Sequence, residues 1–151
     1  MHKLKTFITL GFKKQLMFIE AFILSGLYRF AILFLPFKYI KKRLGIAKTE
    51  STYEVEEAYY REAKQVCSIV MLACKYTPWE SKCLIQAILV QYFLKRRKIP
   101  TTIYLGVNKG DLNGMRAHAW IRCGKMIITG YGPKDQFIQV ATFSNESVLN
   151  K

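Results

Sequence analysis

The chain has 151 residues, which is enough for one hydrophobic core and too few for two domains of ordinary size. Its hydrophobic fraction of 51% excludes a disordered protein, because such a chain has enough apolar surface to bury when it folds. The 24 Lys and Arg residues outnumber the 10 Asp and Glu residues, and the net charge of +14 favours nucleic acid, anionic lipid or an acidic polypeptide as a partner.

The positive charge is concentrated in residues 1–48, where ten basic side chains accompany a single acid, Glu20. These basic residues lie among aliphatic and aromatic ones, and no nucleic-acid-binding motif accompanies them, so we predict that nucleic acid is not the partner. We divide the chain into a basic, hydrophobic helical region, residues 1–48, and a core, residues 49–151. Together they are predicted to form one domain.

Residues 4–45 predict one long helix or two joined helices, ended or kinked at Pro36 and capped at Gly45. Glu20 and Arg29 divide the apolar stretch into short runs, whereas a membrane-spanning helix needs about 20 apolar residues. A helix packed on the domain is therefore favoured over a span. The alternative is a basic, hydrophobic surface that docks on a partner or makes peripheral contact with a membrane.

Two further helices are predicted before any strand. The first has Thr52 as its N-cap, carries Cys67 and Cys74 on its core face and closes at Pro78. The second has Ser81 as its N-cap and ends in a basic last turn.

Four segments rich in β-branched and aromatic residues follow the helices, with a hairpin turn near Gly124: residues 101–107, 115–123, 125–132 and 136–144. Helices followed by strands predict an α+β fold with an antiparallel sheet in the C-terminal half. The four cysteines form no C-x-x-C pair, so we predict no metal site and no cofactor. No secretory signal is recognised, so we expect a cytoplasmic protein with reduced thiols. Such a protein could also associate with a membrane.

Cys83 differs from the other cysteines because it falls in the first turn of the second predicted helix. The unpaired N–H groups and the positive end of the helix dipole favour a thiolate there and can stabilise an oxyanion. His118, on a later strand, would be the matching base. Taken alone, however, a histidine in an apolar strand is more often a packed core residue, here sharing one strand face with Arg116 and Trp120.

Three short segments, in their order and spacing, resemble the leader peptidases of lasso-peptide biosynthesis: P-W-x-S-x-C-L at 78–84, L-G-V at 105–107 and A-H-A-W at 117–120. These transglutaminase-like, papain-like cysteine proteases occur in a stand-alone form without a fused leader-recognition domain, and the resemblance covers most of the chain. It implies removal of the leader from a ribosomally made precursor peptide through a Cys thioester acyl-enzyme. A separate leader-recognition protein and an asparagine-synthetase-like cyclase, which closes the macrolactam, are the implied partners.

By this resemblance Cys83 is the nucleophile and His118 the general base, with Trp79 and Trp120 as candidate substrate-binding residues. The family's triad has its acid about a dozen residues after the histidine, on the neighbouring strand. Gly130 occupies that position here, and in a hairpin turning about residue 124 it is predicted to lie opposite the histidine.

The group that orients His118 is therefore open at this point. The candidates are a backbone carbonyl, a water, Thr129, Asp111 in the preceding loop, and Asp135, the nearest later acid and our candidate third catalytic residue. A Cys–His dyad is chemically sufficient, because the acid chiefly fixes the orientation and tautomer of the imidazole.

Two other functions are carried forward as alternatives. One is a transglutaminase-like acyl transferase with the same Cys–His core, which passes the acyl group to an amine. The other is a noncatalytic protein of the same fold that docks a peptide or a membrane. For the peptidase itself, we expect residues 1–48 to dock the recognition protein or the leader, with salt-sensitive processing.

Overall fold

The computed structural model describes residues 2–109, 114–130 and 136–145. Three helices occupy the N-terminal region: α1 (His2–Thr9), α2 (Phe12–Phe34) and α3 (Phe37–Leu44). Leu35 takes extended backbone, as a residue before proline prefers, and Pro36 then precedes α3, which Gly45 ends. The predicted break at Pro36 and cap at Gly45 are confirmed, and a further break lies at Gly11.

The two helices of the core are α4 (Glu57–Tyr76) and α5 (Cys83–Arg96). Thr52 was predicted to cap α4, and this is wrong, because Glu56 precedes the helix. The Thr52 hydroxyl instead accepts a hydrogen bond from the Glu54 N–H at 3.2 Å, in a local turn upstream of the helix. Threonine side chains bond readily to nearby backbone in such turns, which removes them from capping.

The predicted N-cap of α5 is wrong for a similar reason. Lys82 precedes the helix and makes no side-chain capping bond, whereas the Ser81 hydroxyl pairs with the Thr77 hydroxyl at 2.9 Å. The hydroxyl of Ser81 is thus used to close the loop between α4 and α5.

Five strands form one sheet in the order β1-β5-β2-β3-β4, with all neighbours antiparallel. They are β1 (Ile46–Ala47), β2 (Thr102–Lys109), β3 (Met115–Cys123), β4 (Met126–Thr129) and β5 (Ile138–Ser144). The predicted α+β fold is confirmed, and so are the four predicted strands. Strand β1 was not predicted, because two residues cannot show an alternating pattern.

The hydrophobic core lies between one face of this sheet and the helices α4 and α5. Strand β3 contributes Ala119, Ile121 and Cys123 to it. Because alternate residues of a strand project to opposite faces, His118 and Trp120 project from the other face of the sheet.

Arg122 anchors the chain segment that covers this second face. Its guanidinium donates to the Ser51 carbonyl at 2.9 Å, the Gly124 carbonyl at 2.6 Å and the Tyr104 hydroxyl, and it stacks on the Tyr53 ring. The arginine is only 4% exposed, and these acceptors satisfy a cation that would otherwise be costly to bury. The segment that leads into α4 therefore packs on this second face at Arg122.

Candidate active site

Cys83 is the first residue of α5 and is half-buried, so its predicted place in the first helical turn is confirmed. Because Lys82 makes no side-chain capping bond, the N–H groups of this turn are not taken by the residue that precedes the helix. Such N–H groups stabilise negative charge on an oxygen that forms next to the sulfur.

The other three thiols lie in or against the core. The Cys67 thiol donates to the Ile128 carbonyl at 3.0 Å, and burial raises its pKa. Burial raises the pKa of Cys74 to about 11 and that of Cys123 to about 11. The prediction that Cys67 and Cys74 are core residues is confirmed.

This contrast predicts an order of alkylation. At pH 8 a thiol with a pKa of about 11 is ionised in about one molecule in a thousand, and its thiolate fraction rises tenfold per pH unit until the pH passes that value. We therefore expect iodoacetamide to label Cys83 first in the folded protein, and Cys74 and Cys123 only as the pH approaches 11. Peptide mapping after short exposures from pH 7 upward measures the order.

Urea-unfolded protein is the control, because all four cysteines should then react alike. Labelling of Cys74 as fast as Cys83 in the folded protein at pH 8 would contradict the contrast between the two sites.

The ring of His118 is held on three sides. It lies between Trp120, at 5.8 Å between ring centroids, and Phe137, at 5.0 Å, and its Nε2 is 3.1 Å from the carbonyl oxygen of Gly130. A carbonyl can only accept, so Nε2 carries the proton and donates it. Nδ1 is thereby left with a free lone pair, which is the tautomer a base needs.

Of the groups considered for orienting His118, a backbone carbonyl is the one that contacts the ring in the described part of the chain. Thr129 is buried, and its hydroxyl makes no hydrogen bond within the described residues. Asp111 and Asp135 lie outside the described residues, so the role of Asp135 stays a prediction.

The backbone at Gly130 leaves no place for a side chain. Its φ of +78° lies in the left-handed region, and a Cβ there would be 2.6 Å from the Ala119 carbonyl oxygen and 2.6 Å from the Trp120 Cβ. The prediction that Gly130 lies opposite His118 is wrong, because Gly130 lies beside Trp120.

The turn and a β-bulge together account for this shift of two residues. Cys123 pairs with Met126, so the turn has two residues and moves the register by one. Ile121 pairs with Thr129 but Arg122 with Ile127, so the bulge moves the register by one more. The bulge moves the end of β4 toward Trp120, while the Gly130 carbonyl still reaches His118.

Cys83 and His118 are not hydrogen-bonded to each other in the described structure. Helix α5 packs against β3, but the core residues of that strand are Ala119, Ile121 and Cys123, which project away from the His118 face. Catalytic hydrogen bonds are often long in free enzymes and tighten only when substrate binds. Assembly of the dyad therefore stays a prediction.

Both tryptophans are packed. The Trp79 indole N–H donates to the Ser25 hydroxyl at 3.0 Å, and its ring meets Phe22 edge-on, so it ties the loop before α5 to α2. Trp120 is 6% exposed and stacks on Tyr104. Substrate binding by either tryptophan stays a prediction.

Phe137 was missed by sequence reasoning. It comes directly before β5, and its contact with His118 depends on how β5 is joined to the sheet, which the local pattern does not encode. Its aromatic character within the predicted strand 136–144 was the only available signal.

Among the described residues, no group of three or more His, Cys, Asp and Glu side chains could hold a metal ion. A family profile described as the transglutaminase-like superfamily matches residues 30–142, which include both Cys83 and His118. No curated protein and no solved structure matches the chain.

Proposed function

Because the chain belongs to the transglutaminase-like superfamily, we propose that it is a cysteine peptidase that removes the leader from a ribosomally made lasso precursor peptide. The observation that carries the proposal is the bond between His118 Nε2 and the Gly130 carbonyl. That bond fixes the imidazole in the tautomer whose Nδ1 can accept a proton. The same chain places a half-buried cysteine, Cys83, at the start of a helix.

In the proposed reaction, His118 Nδ1 takes the proton of the Cys83 thiol, and the sulfur attacks the carbonyl carbon of the last leader residue. The oxyanion of the tetrahedral intermediate accepts from the N–H groups of the first turn of α5. The peptide C–N bond then breaks, and His118 gives its proton to the leaving amine of the core peptide. Water attacks the remaining thioester, which releases the leader as an acid and restores the thiol.

The Gly130 carbonyl would perform part of the role of the acid in a Cys–His–Asp triad. It sets the tautomer and holds the ring in place, as a carboxylate does. It is neutral, so it stabilises the imidazolium less than a carboxylate would. We therefore expect slower turnover than a complete Cys–His–Asp triad would give.

The partners in this proposal are the precursor peptide, a separate leader-recognition protein that delivers it, and an asparagine-synthetase-like cyclase that uses the newly exposed amine. They are proposed from the family that the motifs at 78–84 and 117–120 resemble. The reaction would take place in the cytoplasm or at the inner surface of its membrane.

The direct test is incubation of the protein with a candidate precursor, with and without the recognition protein. We expect two products whose masses sum to the precursor plus one water. A single product that has gained an amine and lost ammonia would identify an acyl transferase instead. An intact precursor under both conditions, with the recognition protein shown to bind its leader, would contradict the proposal.

A noncatalytic docking protein of the same fold is the second candidate. It is favoured by the glycine in the position of the family's acid and by the lack of a hydrogen bond between Cys83 and His118. In that case the protein would bind the precursor without cleaving it, and Cys83→Ala would leave binding unchanged.

A further inference from the structure

We propose that α2 and α3 form a face that lies in the surface of an anionic lipid bilayer. The inference concerns a surface outside the Cys83 and His118 site, and it does not depend on the peptidase proposal.

Three polar side chains of α2, those of Glu20, Ser25 and Arg29, point toward the protein. Glu20 accepts from Arg96 and from Tyr92, each at 2.7 Å. Ser25 is fully buried and accepts from the Trp79 indole. Each of these groups therefore has a partner on α5 or on the loop before it.

The same holds one turn further along α2, where Arg29 pairs with Glu80 at 3.2 Å. These groups lie among apolar residues on the same side of the helix, since Met17 and Ala21 belong to the core and Phe22 packs against it.

A second set of apolar side chains of α2 points outward. They recur every three or four positions and are between 46% and 73% exposed: Phe12, Leu16, Ile19, Ile23, Leu27, Phe30 and Phe34. We call this set the α2 stripe. Over the 23 residues of α2 it is about 34 Å long. A continuous exposed apolar surface of this length marks a site of interaction.

Helix α2 is long and apolar enough to cross a membrane, and only 17% of its apolar window is buried in the protein. Its contacts nevertheless place it flat against the domain, because Met17 meets Arg97, Glu20 meets Arg96, and Arg29 meets Glu80. A crossing orientation would draw these charged partners into hydrocarbon. The helix therefore lies in the plane of the interface, with the stripe in the lipid.

The charge around the stripe selects anionic lipid. Lys13 is exposed near its first residue, and Lys38, Lys41 and Lys42 are exposed on α3, just beyond its last. Glu20, the one acid among residues 1–48, is neutralised by Arg96. Such flanking lysines meet phosphates at the headgroup level while the apolar residues enter the acyl region.

A groove of about 740 Å³ joins the stripe to these cations. Leu27, Leu35 and Tyr39 line it together with Lys42, Arg43 and Lys95, and the side-chain nitrogen of Gln91 is buried there without a partner among the described residues. Apolar walls beside several nitrogen donors are what an acyl chain and its phosphate require.

The test is flotation of the full chain with vesicles of phosphatidylglycerol and phosphatidylcholine in equal parts, against vesicles of phosphatidylcholine alone. We expect the protein to float with the anionic vesicles, to float much less with the neutral ones, and to lose binding as salt is raised. Each of Lys13→Gln and Lys42→Gln should weaken binding about fivefold at low salt.

The variant Ile23→Glu/Phe30→Glu should abolish flotation, because it puts two acids into the stripe. Ile138→Glu/Val140→Glu is the matched control, since it makes the same charge change at exposed apolar residues of β5 and should still float. Thermal melts establish that both variants are folded.

The proposal is overturned if the folded protein does not bind anionic vesicles, or if the stripe variant floats as well as the control. It is also overturned if the stripe variant instead breaks a dimer of the chain or releases the leader-recognition protein in the absence of lipid. Flotation is measured without precursor or recognition protein, and cleavage is measured without vesicles, so failure of membrane binding and failure of the peptidase proposal remain separate results.

Discussion

Replacing Cys83 with alanine is expected to lower the rate of leader cleavage by at least about 10³-fold, because no other group in the proposed site can form the thioester. His118→Ala should have an effect of similar size, because the thiol then has no base. Nucleophile and base act as a unit, so the double variant should be no slower than the slower single variant. Single-turnover cleavage of the precursor, followed by mass spectrometry, gives these rates.

The matched control is Cys67→Ala, which removes another half-buried thiol from a helix and leaves the proposed site intact. It should cleave at nearly the rate of the unaltered protein. Undiminished cleavage by Cys83→Ala would end the peptidase assignment to this site.

Gly130→Asp is expected to destabilise the protein by about 4 kcal/mol instead of completing a triad. A side chain at φ +78° is strained, and its Cβ would stand 2.6 Å from the Ala119 carbonyl oxygen and the Trp120 Cβ, so backbone must move to make room. The movement would also pull the carbonyl away from His118 and slow cleavage. Urea unfolding measures the free energy change.

Gly114→Asp is the control for this variant. Gly114 has a similar φ of +85°, but a Cβ there meets no atom of the described residues within 4 Å, so only the backbone strain of about 1 kcal/mol is expected. If Gly130→Asp were as stable as Gly114→Asp and cleaved faster than the unaltered protein, the carbonyl would not be the group that orients His118.

The helices and the four longer strand segments could be predicted because their signals are local. Pro36 disfavours a helical Leu35 by contact between neighbours, and the apolar spacing of α4 and α5 follows the helical repeat. Cys83 could be placed in a first turn for the same reason, although Ser81 could not be identified correctly, since its hydroxyl is taken by Thr77.

The details that decide the site are not local. The bulge between Ile121 and Arg122 is a property of strand pairing, and it shifts Gly130 relative to His118. A glycine at the position of an expected acid indicates only that a side chain is missing. The Gly130 carbonyl becomes the partner of His118 through a backbone conformation that the sequence does not specify.

The exposed stripe of α2 was also beyond prediction from the pattern alone. Glu20 and Arg29 predict a packed helix, and the helix does pack. Which of its apolar side chains would contact the domain depended on the positions of Arg96 and Glu80, far away in the sequence. Apolar residues lie on both sides of α2, so one set packs inward beside Glu20 and Arg29 while the α2 stripe is exposed.

The assignment of the acyl group to Cys83 is tested by the mass of the protein after it is quenched in acid during turnover of the precursor. We expect an adduct of the leader, joined through its terminal carbonyl, on the peptide that contains Cys83, and no adduct in Cys83→Ala. A leader released with no adduct on Cys83, at a rate that Cys83→Ala leaves unchanged, would contradict the central claim that this residue carries the acyl group.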